Sequence, residues 1–457
     1  MNFEETRSRL IKRVHEIIPQ HIQRLSWSKE ELLKFQTKRL RDILVTAYSS
    51  SPYYREILKG IDLQSFELDD LSKLPVLKKD TVMANWDSFV TVEGVNRKVA
   101  EDHIEKLREG KTDNPYFDNK YLFIATGGSS GKRGMFIWDE EFLAETVCLC
   151  YRYLADQEMK RGNTGKINMA VLEAPTLLHG SRHLFTVNYS PNVTVKSLSS
   201  LESGELQHNT LNEFQPDYLV GFASVIAELA HSQIKGQLDI SPKWVATNSE
   251  PLDDDMKGVI REAWGTGTIN SWGSVEIGLV AIETDDNHGM TIGEDGVILE
   301  VVDNDLNPVT DKKDARKVIA TSLINKSFPL IRYVIDDVIE VVDTDTAYPA
   351  FSEIKSILGR ADDWFTYGKC RVHPMVFRHT LGQNKEIEEY QVVQTENGAD
   401  ILIVSSGSIN FENITKGISD NLTKEGLKEP ILNLDLADSL PRHPETGKVK
   451  RFIALKK

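Results

Sequence analysis

The chain has 457 residues, 40% of them hydrophobic and 27% charged, which suits two or three domains with ordinary cores. Lys plus Arg number 54 against 69 Asp plus Glu, a formal charge of −15; a broad nucleic-acid surface is excluded because phosphate binding needs a basic footprint. Three cysteines cannot build a disulfide framework, and no apolar run nears the roughly 18 residues that span a bilayer, so the expectation is a cytoplasmic protein without a membrane partner.

The opening MNFEETRSRLIKRVHEIIPQ mixes charged and apolar residues as an amphipathic helix does, unlike a signal peptide. Leu40, Ile43, Leu44 and Ala47 keep helical spacing up to a break at Ser51-Pro52. A second break falls at Leu74-Pro75, before the polar turn Lys78-Lys79-Asp80. Tyr121–Ala125 reads as a buried strand feeding a Gly/Ser loop, and Met135–Trp138 as the strand that leaves it. Asp139 is placed to cap a helix from Glu140 to about Ala155, in which Cys148 and Cys150 are packing residues.

Ile167–Ala174, Asp217–Gly221 and Lys243–Ala246 predict strands. Between and after them stand a loop at Leu178–Ser181, a helix over Phe222–Ile234 and a helix opening at Ser249–Leu252 that stops at Gly265. Repeated strand–helix units imply a largely parallel, helix-covered sheet. Beyond Gly289 the runs GVILEVVD, KVIATSLI and IRYVIDDVIEVV predict a smaller antiparallel region. A boundary is expected at Gly359–Asp363, followed by two or three strands and a helix around Asn413–Glu425. Only 13 basic and 14 acidic residues follow position 360, so nearly all the excess negative charge lies before it.

The loop Thr126-Gly127-Gly128-Ser129-Ser130-Gly131-Lys132-Arg133-Gly134 offers free amides and hydroxyls suited to a polyphosphate. It is not a Walker A loop: three residues, not four, separate Gly127 from Gly131, and Arg133 stands where a magnesium-binding hydroxyl is needed. Four further elements follow in order: Asn270-Ser271-Trp272-Gly273-Ser274-Val275-Glu276, Pro329 to Asp337, Gly359-Arg360-Ala361-Asp362-Asp363, and Leu440 to Arg451. Each alone is an ordinary capped turn, edge-strand charge pair or basic tail. Their common order is harder to dismiss.

Together they resemble the adenylate-forming superfamily, and within it the phenylacetate–CoA ligase-like branch. Thr126–Lys132 is similar to that family's T-S-G-T-T-G-K phosphate loop, and Trp272–Glu276 to its Y-G-x-T-E element. Ile331–Asp337 matches I-R-Y-x-x-x-D, Gly359–Asp363 matches G-R-x-D-D, and Leu440–Arg451 resembles L-P-R-T-P-S-G-K-I-D-R with one residue inserted before Gly447. SPYYRE (Ser51–Glu56), LPVLKKD (Leu74–Asp80), QPDYLVGFAS (Gln215–Ser224) and SEPL (Ser249–Leu252) fit the branch.

The resemblance implies an α/β fold: a large N-terminal ATP- and acyl-binding domain over 1–360, with helix-covered sheets and a β-rich subdomain, and a small mobile α+β domain over 361–457 carrying the catalytic lysine. It implies ATP held by Thr126, Gly127, Gly128, Ser129, Ser130, Gly131, Lys132, Trp272, Gly273, Ser274, Asp337 and Arg360. Glu276 would place Mg2+, Lys448 rather than Lys450 would bridge the acyl carboxylate and the α-phosphate, and Asp362 would be the hinge. His179-Gly180 resembles a pair lining the acyl site, although a core or loop histidine is the better account of it. Trp272 is bulkier than the family's Tyr, and Val275 replaces a Thr. Glu283-Thr284 stands where Glu-Cys is common and only His288 remains, so no zinc is expected. The implied reaction joins a carboxylic acid, by default aryl or arylacetic, to AMP and then to coenzyme A. A carrier-protein thiol, an amine acceptor, or a degenerate protein that binds nucleotide without turnover stay open, as does the oligomeric state, dimer included.

Overall fold

Thr6, Leu10, Val14, Ile17, His21 and Arg24 recur every three or four residues and form the buried stripe of helix α1 (Phe3–Arg24). The computed structural model describes residues 3–125, 134–161, 165–185, 187, 190–284, 289–303, 305–309, 317–341, 348–360, 364–382, 384, 386–444 and 446–455. Helix α2 (Lys29–Ser50) opens on a capping box in which Ser28 and Glu31 bond each other's backbone amides, and it ends where Pro52 starts α3 (Pro52–Ile57). Short helices α4 (Lys79–Ala84), α5 (Trp86–Phe89) and α6 (Arg97–Arg108) complete this layer. Among the described residues no helix is long and apolar enough to cross a membrane.

Strands β1 (Tyr116–Phe117), β2 (Tyr121–Ala125) and β3 (Met135–Asp139) form a small antiparallel sheet, with Ala125 paired to Met135 at the mouth of the Gly/Ser loop. Asp139 caps α7 (Glu140–Arg161), accepting from the Phe142 amide at 2.7 Å. Cys148 and Cys150 are buried on α7, as expected, and are free thiols.

The chain then alternates: β4 (Ile167–Glu173), α8 (Gly180–Phe185), β5 (Val193–Ser199), α9 (Gly204–Phe214), β6 (Tyr218–Phe222), α10 (Ala223–Ile234), β7 (Trp244–Asn248), α11 (Asp254–Trp264), β8 (Thr268–Ser274). Strands β5, β4, β6, β7 and β8 lie side by side and parallel. Two expectations need correction here. Leu178–Ser181 is not all loop, because Gly180 opens α8. The helix after Pro251 starts later than Ser249, since Asp253 is the residue whose side chain takes the Met256 amide.

The smaller antiparallel region expected beyond Gly289 is found, but half of its strands join the main sheet. β9 (Gly278–Glu283), β10 (Met290–Ile292), β14 (Asp337–Val341) and β15 (Glu353–Arg360) extend the parallel strands antiparallel, giving the order β14-β15-β10-β9-β8-β7-β6-β4-β5 among the described residues. The other strands of this region, β11 (Val297–Val302), β12 (Lys317–Ser322) and β13 (Tyr333–Ile335), make a sheet apart. The run IRYVIDDVIEVV, which looks like one strand, changes sheets at Asp336.

The last stretch comprises the hairpin β16 (Phe365–Tyr367) and β17 (Cys370–Val372), α12 (Met375–Leu381), β18 (Ile387–Thr395), β19 (Gly398–Ser405), α13 (Phe411–Lys424), β20 (Ile431–Leu436) and β21 (Phe452–Ile453). β18 and β19 pair antiparallel, with β21 and β20 added parallel at their outer edges. Phe365, Phe377, Val392, Ile401, Ile418 and Phe452 share a hydrophobic cluster of their own.

A buried charge cluster joins α1, α2 and α7 to the turn before β11. Glu145 meets Arg39 at 2.6 Å and His21 at 3.1 Å; Asp295, fully buried, meets Arg152 at 2.7 Å and Arg24 at 3.2 Å. Gly296 lets that turn reach α7, since a Cβ there would stand 2.7 Å from Leu149 Cδ1. The cations hold both carboxyls far below the usual carboxylate range against their burial, and burial keeps His21 below the usual imidazole range. Depressed carboxylates stabilise above about pH 4 and lose that contribution as pH falls through their folded values. Asp295→Ala strands Arg152 and Arg24 and is expected to cost about 3–5 kcal/mol, read from the urea midpoint at neutral pH. A midpoint equal to that of the parent would refute the central role of the cluster.

Candidate functional site

In open α/β sheets ligands bind beyond the carboxyl ends of the parallel strands. Here those ends lead to His179-Gly180 after β4, Phe222 at the end of β6, Asn248-Ser249-Glu250 after β7, and Trp272–Glu276 in and after β8. Ser249 has φ +65, a strained value for a residue with a side chain, and holds its hydroxyl 2.8 Å from Asn248 Oδ1. Glu250 accepts from the Ser224 amide at 2.9 Å through Oε2, while its Oε1 is buried with no hydrogen-bond partner among the described residues.

Lys448 arrives at this edge from the far end of the chain. Arg442 and Val449 bridge, the His443 amide bonds the Lys448 carbonyl at 2.9 Å, and the Gly447 amide bonds the His443 carbonyl at 2.8 Å, so the segment is a tight hairpin. Gly447 has φ +71, and a Cβ there would meet Ser200 Oγ at 2.9 Å and Ser200 O at 3.0 Å. Ser200, just past β5, donates its hydroxyl to Thr446 O at 2.8 Å. Arg442 pairs with Glu228 at 2.9 Å and Glu389 at 3.3 Å, and Arg451 pairs with Asp253, the cap of α11. Lys448 Nζ lies 3.1 Å from His179 Nε2 and 4.5 Å from the centre of the Phe222 ring. Burial pushes the Lys448 ammonium down to about 8, opposed by the Glu250 carboxylate. Burial and then the Lys448 charge hold His179 well below the usual imidazole range. Lys450 is exposed; its backbone carbonyl accepts from Gln391.

A second group forms around Trp272. Its ring is only 4% exposed and packed in the main core, and its indole N–H donates to Asp337 Oδ2 at 2.9 Å. Tyr333 donates to Glu276 Oε1 at 3.4 Å. Gly273 permits a bulge against β9, where a Cβ would stand 2.7 Å from Gly278 O; Ser274 is half-buried. Asp337 pairs through its backbone with Arg360 across β14 and β15. Arg332, inside the I-R-Y stretch, turns elsewhere: it forks onto Glu300 at 2.8 and 3.0 Å and donates to the Leu74 carbonyl.

The structure therefore gathers Lys448, His179 and Gly180 at one end of the strand edge, and Trp272, Gly273, Ser274, Glu276 and Asp337 at the other. Thr126, Gly127, Gly128, Ser129, Ser130, Gly131 and Lys132, Asp362, expected as the hinge, and His288 lie outside the described residues. Trp138 is a residue that sequence reasoning missed. It donates its indole N–H to the Val275 carbonyl at 2.8 Å, and its ring lies where a Cβ on Gly180 would be 2.7 Å away. One side chain thus braces both ends of the site, and its position at the close of the strand leaving the loop was the available signal. Glu173 and Ser181 beside His179 were missed as well. Among the described residues no group of three or more His, Cys, Asp and Glu is placed to hold a metal ion.

The chain is 21% identical over 443 residues to Protein CapK of Staphylococcus aureus, covering 92% of this chain and 89% of that one. It is 22% identical over 383 residues to a phenylacetate–coenzyme A ligase of Thermus thermophilus, covering 81% and 80%. No family model matches. A 2-hydroxyisobutyryl-CoA ligase in its postadenylation state, with R3-HIB-AMP bound, superimposes with TM-score 0.73 at 17% identity over 95% of this chain and 91% of that one. The chain has the fold of the adenylate-forming ligases. The resemblance read from the motifs thus holds for the architecture as a whole. The same ligase in its thioesterification state superimposes less well, with TM-score 0.56 at 19% identity over 94% and 91%.

Gly447→Ala adds a methyl at a left-handed position and against Ser200, a strain of about 1–2 kcal/mol. Amides of the 442–449 hairpin are expected to exchange about tenfold faster with solvent while those of β4–β8 keep their protection. Equal protection in the hairpin would show that the turn tolerates a side chain.

Proposed function

We propose that the protein is an AMP-forming acid–thiol ligase. It would join a carboxylic acid to ATP, release pyrophosphate, and pass the acyl group from the adenylate to coenzyme A. The observation that carries this reading is the placement of Lys448, which a preformed hairpin delivers to the strand edge that Trp272, Glu276 and Asp337 also reach.

The chemistry required is the meeting of two anions, a carboxylate and the α-phosphate. A half-buried ammonium over the Phe222 ring can stand between them and neutralise the charge that develops as the bond forms. Asp337, fixed by the Trp272 indole, is suited to accept hydrogen bonds from the ribose hydroxyls. The Glu276 carboxylate has no cationic partner among the described residues and suits Mg2+, which takes carboxylate and phosphate oxygens. When bound, that ion supplies charge neutralisation at the phosphates. The Thr126–Lys132 loop would hold the β- and γ-phosphates with its amides and hydroxyls, with Arg360 near the ribose. An apolar cavity between α7 and the sheet, lined in part by Tyr151, Met169, Phe185, Tyr218, Trp244 and Ile282, supports an aryl or arylacetic acid as substrate.

Residues 361–457 would move as a unit about Asp362 between the two half-reactions. Their own hydrophobic cluster supports this, as does the better match to the postadenylation than to the thioesterification state of one ligase.

A panel of carboxylic acids, phenylacetate and benzoate among them, is expected to give acid-dependent pyrophosphate release, and free coenzyme A to release AMP as the acyl group transfers. Nucleotide binding with no pyrophosphate from any acid would overturn the reading; release with no transfer to coenzyme A would move the acceptor to a carrier protein or an amine. Lys448→Ala should lower adenylation roughly a hundredfold or more while sparing thioester formation from supplied acyl-AMP. Unchanged pyrophosphate release in that variant would sink the assignment. Asp362→Pro, which fixes φ near −65°, should depress acyl transfer far more than adenylation. If both half-reactions fall by one factor in step with melting temperature, the residue is an ordinary turn.

A further inference from the structure

Four side chains stand in line at the buried end of the site. Lys448 Nζ is 3.1 Å from His179 Nε2, His179 Nδ1 is 2.8 Å from Ser181 Oγ, and Ser181 Oγ is 3.5 Å from Glu173 Oε2. We propose that His179, Ser181 and Glu173 are positioning residues that set the charge and aim of Lys448 through this line, with Glu173 as its proton-accepting end. The inference rests on the adenylation role argued for Lys448.

Donor and acceptor accounting gives the line a direction. An ammonium has three donors and no acceptor, so while Lys448 is charged His179 Nε2 must be bare. Nδ1 then carries the ring proton and donates it to Ser181 Oγ. The Ser181 proton is left for Glu173, whose Oε2 must accept. The opposite direction is also complete. Lys448 gives a proton to Nε2, Nδ1 gives its proton to Ser181 Oγ, and Ser181 gives its own to Glu173 Oε2. Three bonds to hydrogen break and three form, and an ammonium–carboxylate pair becomes an amine and a carboxylic acid. Only the first direction leaves Lys448 able to neutralise a phosphate.

The surroundings leave this choice to the line. Glu173 is 2% exposed; among the described residues its Oε1 has no hydrogen-bond partner and the cation paired with it, Arg182, is 3.8 Å away. Burial pushes Glu173 up to about 8 and Lys448 down to about 8, so both ends change charge over the same pH range, just above neutral, and the line couples them there. The other groups facing the line are Glu250 toward Lys448, His183 and His443 toward His179, and Arg182 and Tyr151 toward Glu173. His183 is kept neutral by burial, down to about 4, and faces the Leu177 carbonyl instead. The Phe222 ring under Nζ favours the cation.

The test measures the ionisation of Lys448 directly. The intact protein is labelled with acetic anhydride across pH 6–10, and acetylation of Lys448 is followed by mass spectrometry, because only the neutral amine reacts. Glu173→Gln and Ser181→Ala are expected to lower the labelling midpoint by about one pH unit, a tenfold larger neutral fraction at a given pH, and to move the basic limb of pyrophosphate release by the same amount. Ser181→Thr, which keeps the hydroxyl, should restore both. Nitrogen-15 spectra should find the His179 proton on Nδ1 in the parent. Midpoints of both variants coincident with the parent, with melting temperatures preserved, would overturn the proposal, as would a proton on Nε2 at neutral pH. Failure of the Lys448 role is a separate result: Lys448→Ala would then release pyrophosphate normally, whatever the labelling midpoints do.

Discussion

Two carboxylates, Glu145 and Asp295, are buried where an isolated charge would not stay ionised, and the cations that hold them come from three helices. α7 supplies Glu145 and Arg152, α1 supplies His21 and Arg24, and α2 supplies Arg39. Because each charge needs partners from other elements, none of these helices can shift without stranding another. α7 is thereby fixed against α1 and against the β9 side of the sheet. The strand that feeds α7 is β3, and β3 carries Trp138. The placement of the indole that braces Val275 and Gly180 thus follows from a charge cluster that anchors the first turns and the middle of the same helix.

From that frame the site assembles by backbone geometry more than by side-chain choice. Parallel strands end together, so the residues after β4, β6, β7 and β8 are neighbours although long stretches of sequence separate them. The switch of sheets at Asp336 places Asp337 at the start of β14, where the buried Trp272 indole reaches it. Trp272 works here as part of the core, and its polar edge supplies one directed hydrogen bond to the site.

Elements with local signals were readable from sequence. Asp139 before Glu140 announces a cap, Gly265 a stop, and the apolar runs at 121–125 and 218–221 buried strands. Where reading failed, the deciding term was distant. Position 180 has no room for a side chain because the Trp138 ring lies close against it, and the IRYVIDDVIEVV run breaks because its halves find partners in different sheets. Asp253 rather than Ser249 caps α11, and Arg451, 198 positions along, pairs with the same carboxylate. Arg152 and Asp295 are 143 residues apart, and no pattern in either neighbourhood announces their pairing. The motifs around Trp272, Asp337 and Lys448 pointed to residues that the fold brings to the strand edge. The Glu173–Ser181–His179 line was invisible because its members become meaningful only once Lys448 is beside them.

The hairpin that carries Lys448 closes through its own backbone, between His443 and Lys448 and between Gly447 and His443. Its shape therefore does not depend on what it docks against. A disordered segment reaching for the same place would lose on the order of 1–2 kcal/mol of backbone entropy per residue on each arrival. This one has already lost that freedom when the chain folds. If the segment moves between half-reactions as proposed, docking onto Ser200 would order a preformed turn and not a flexible tail, so each return of the lysine would put little entropy at stake.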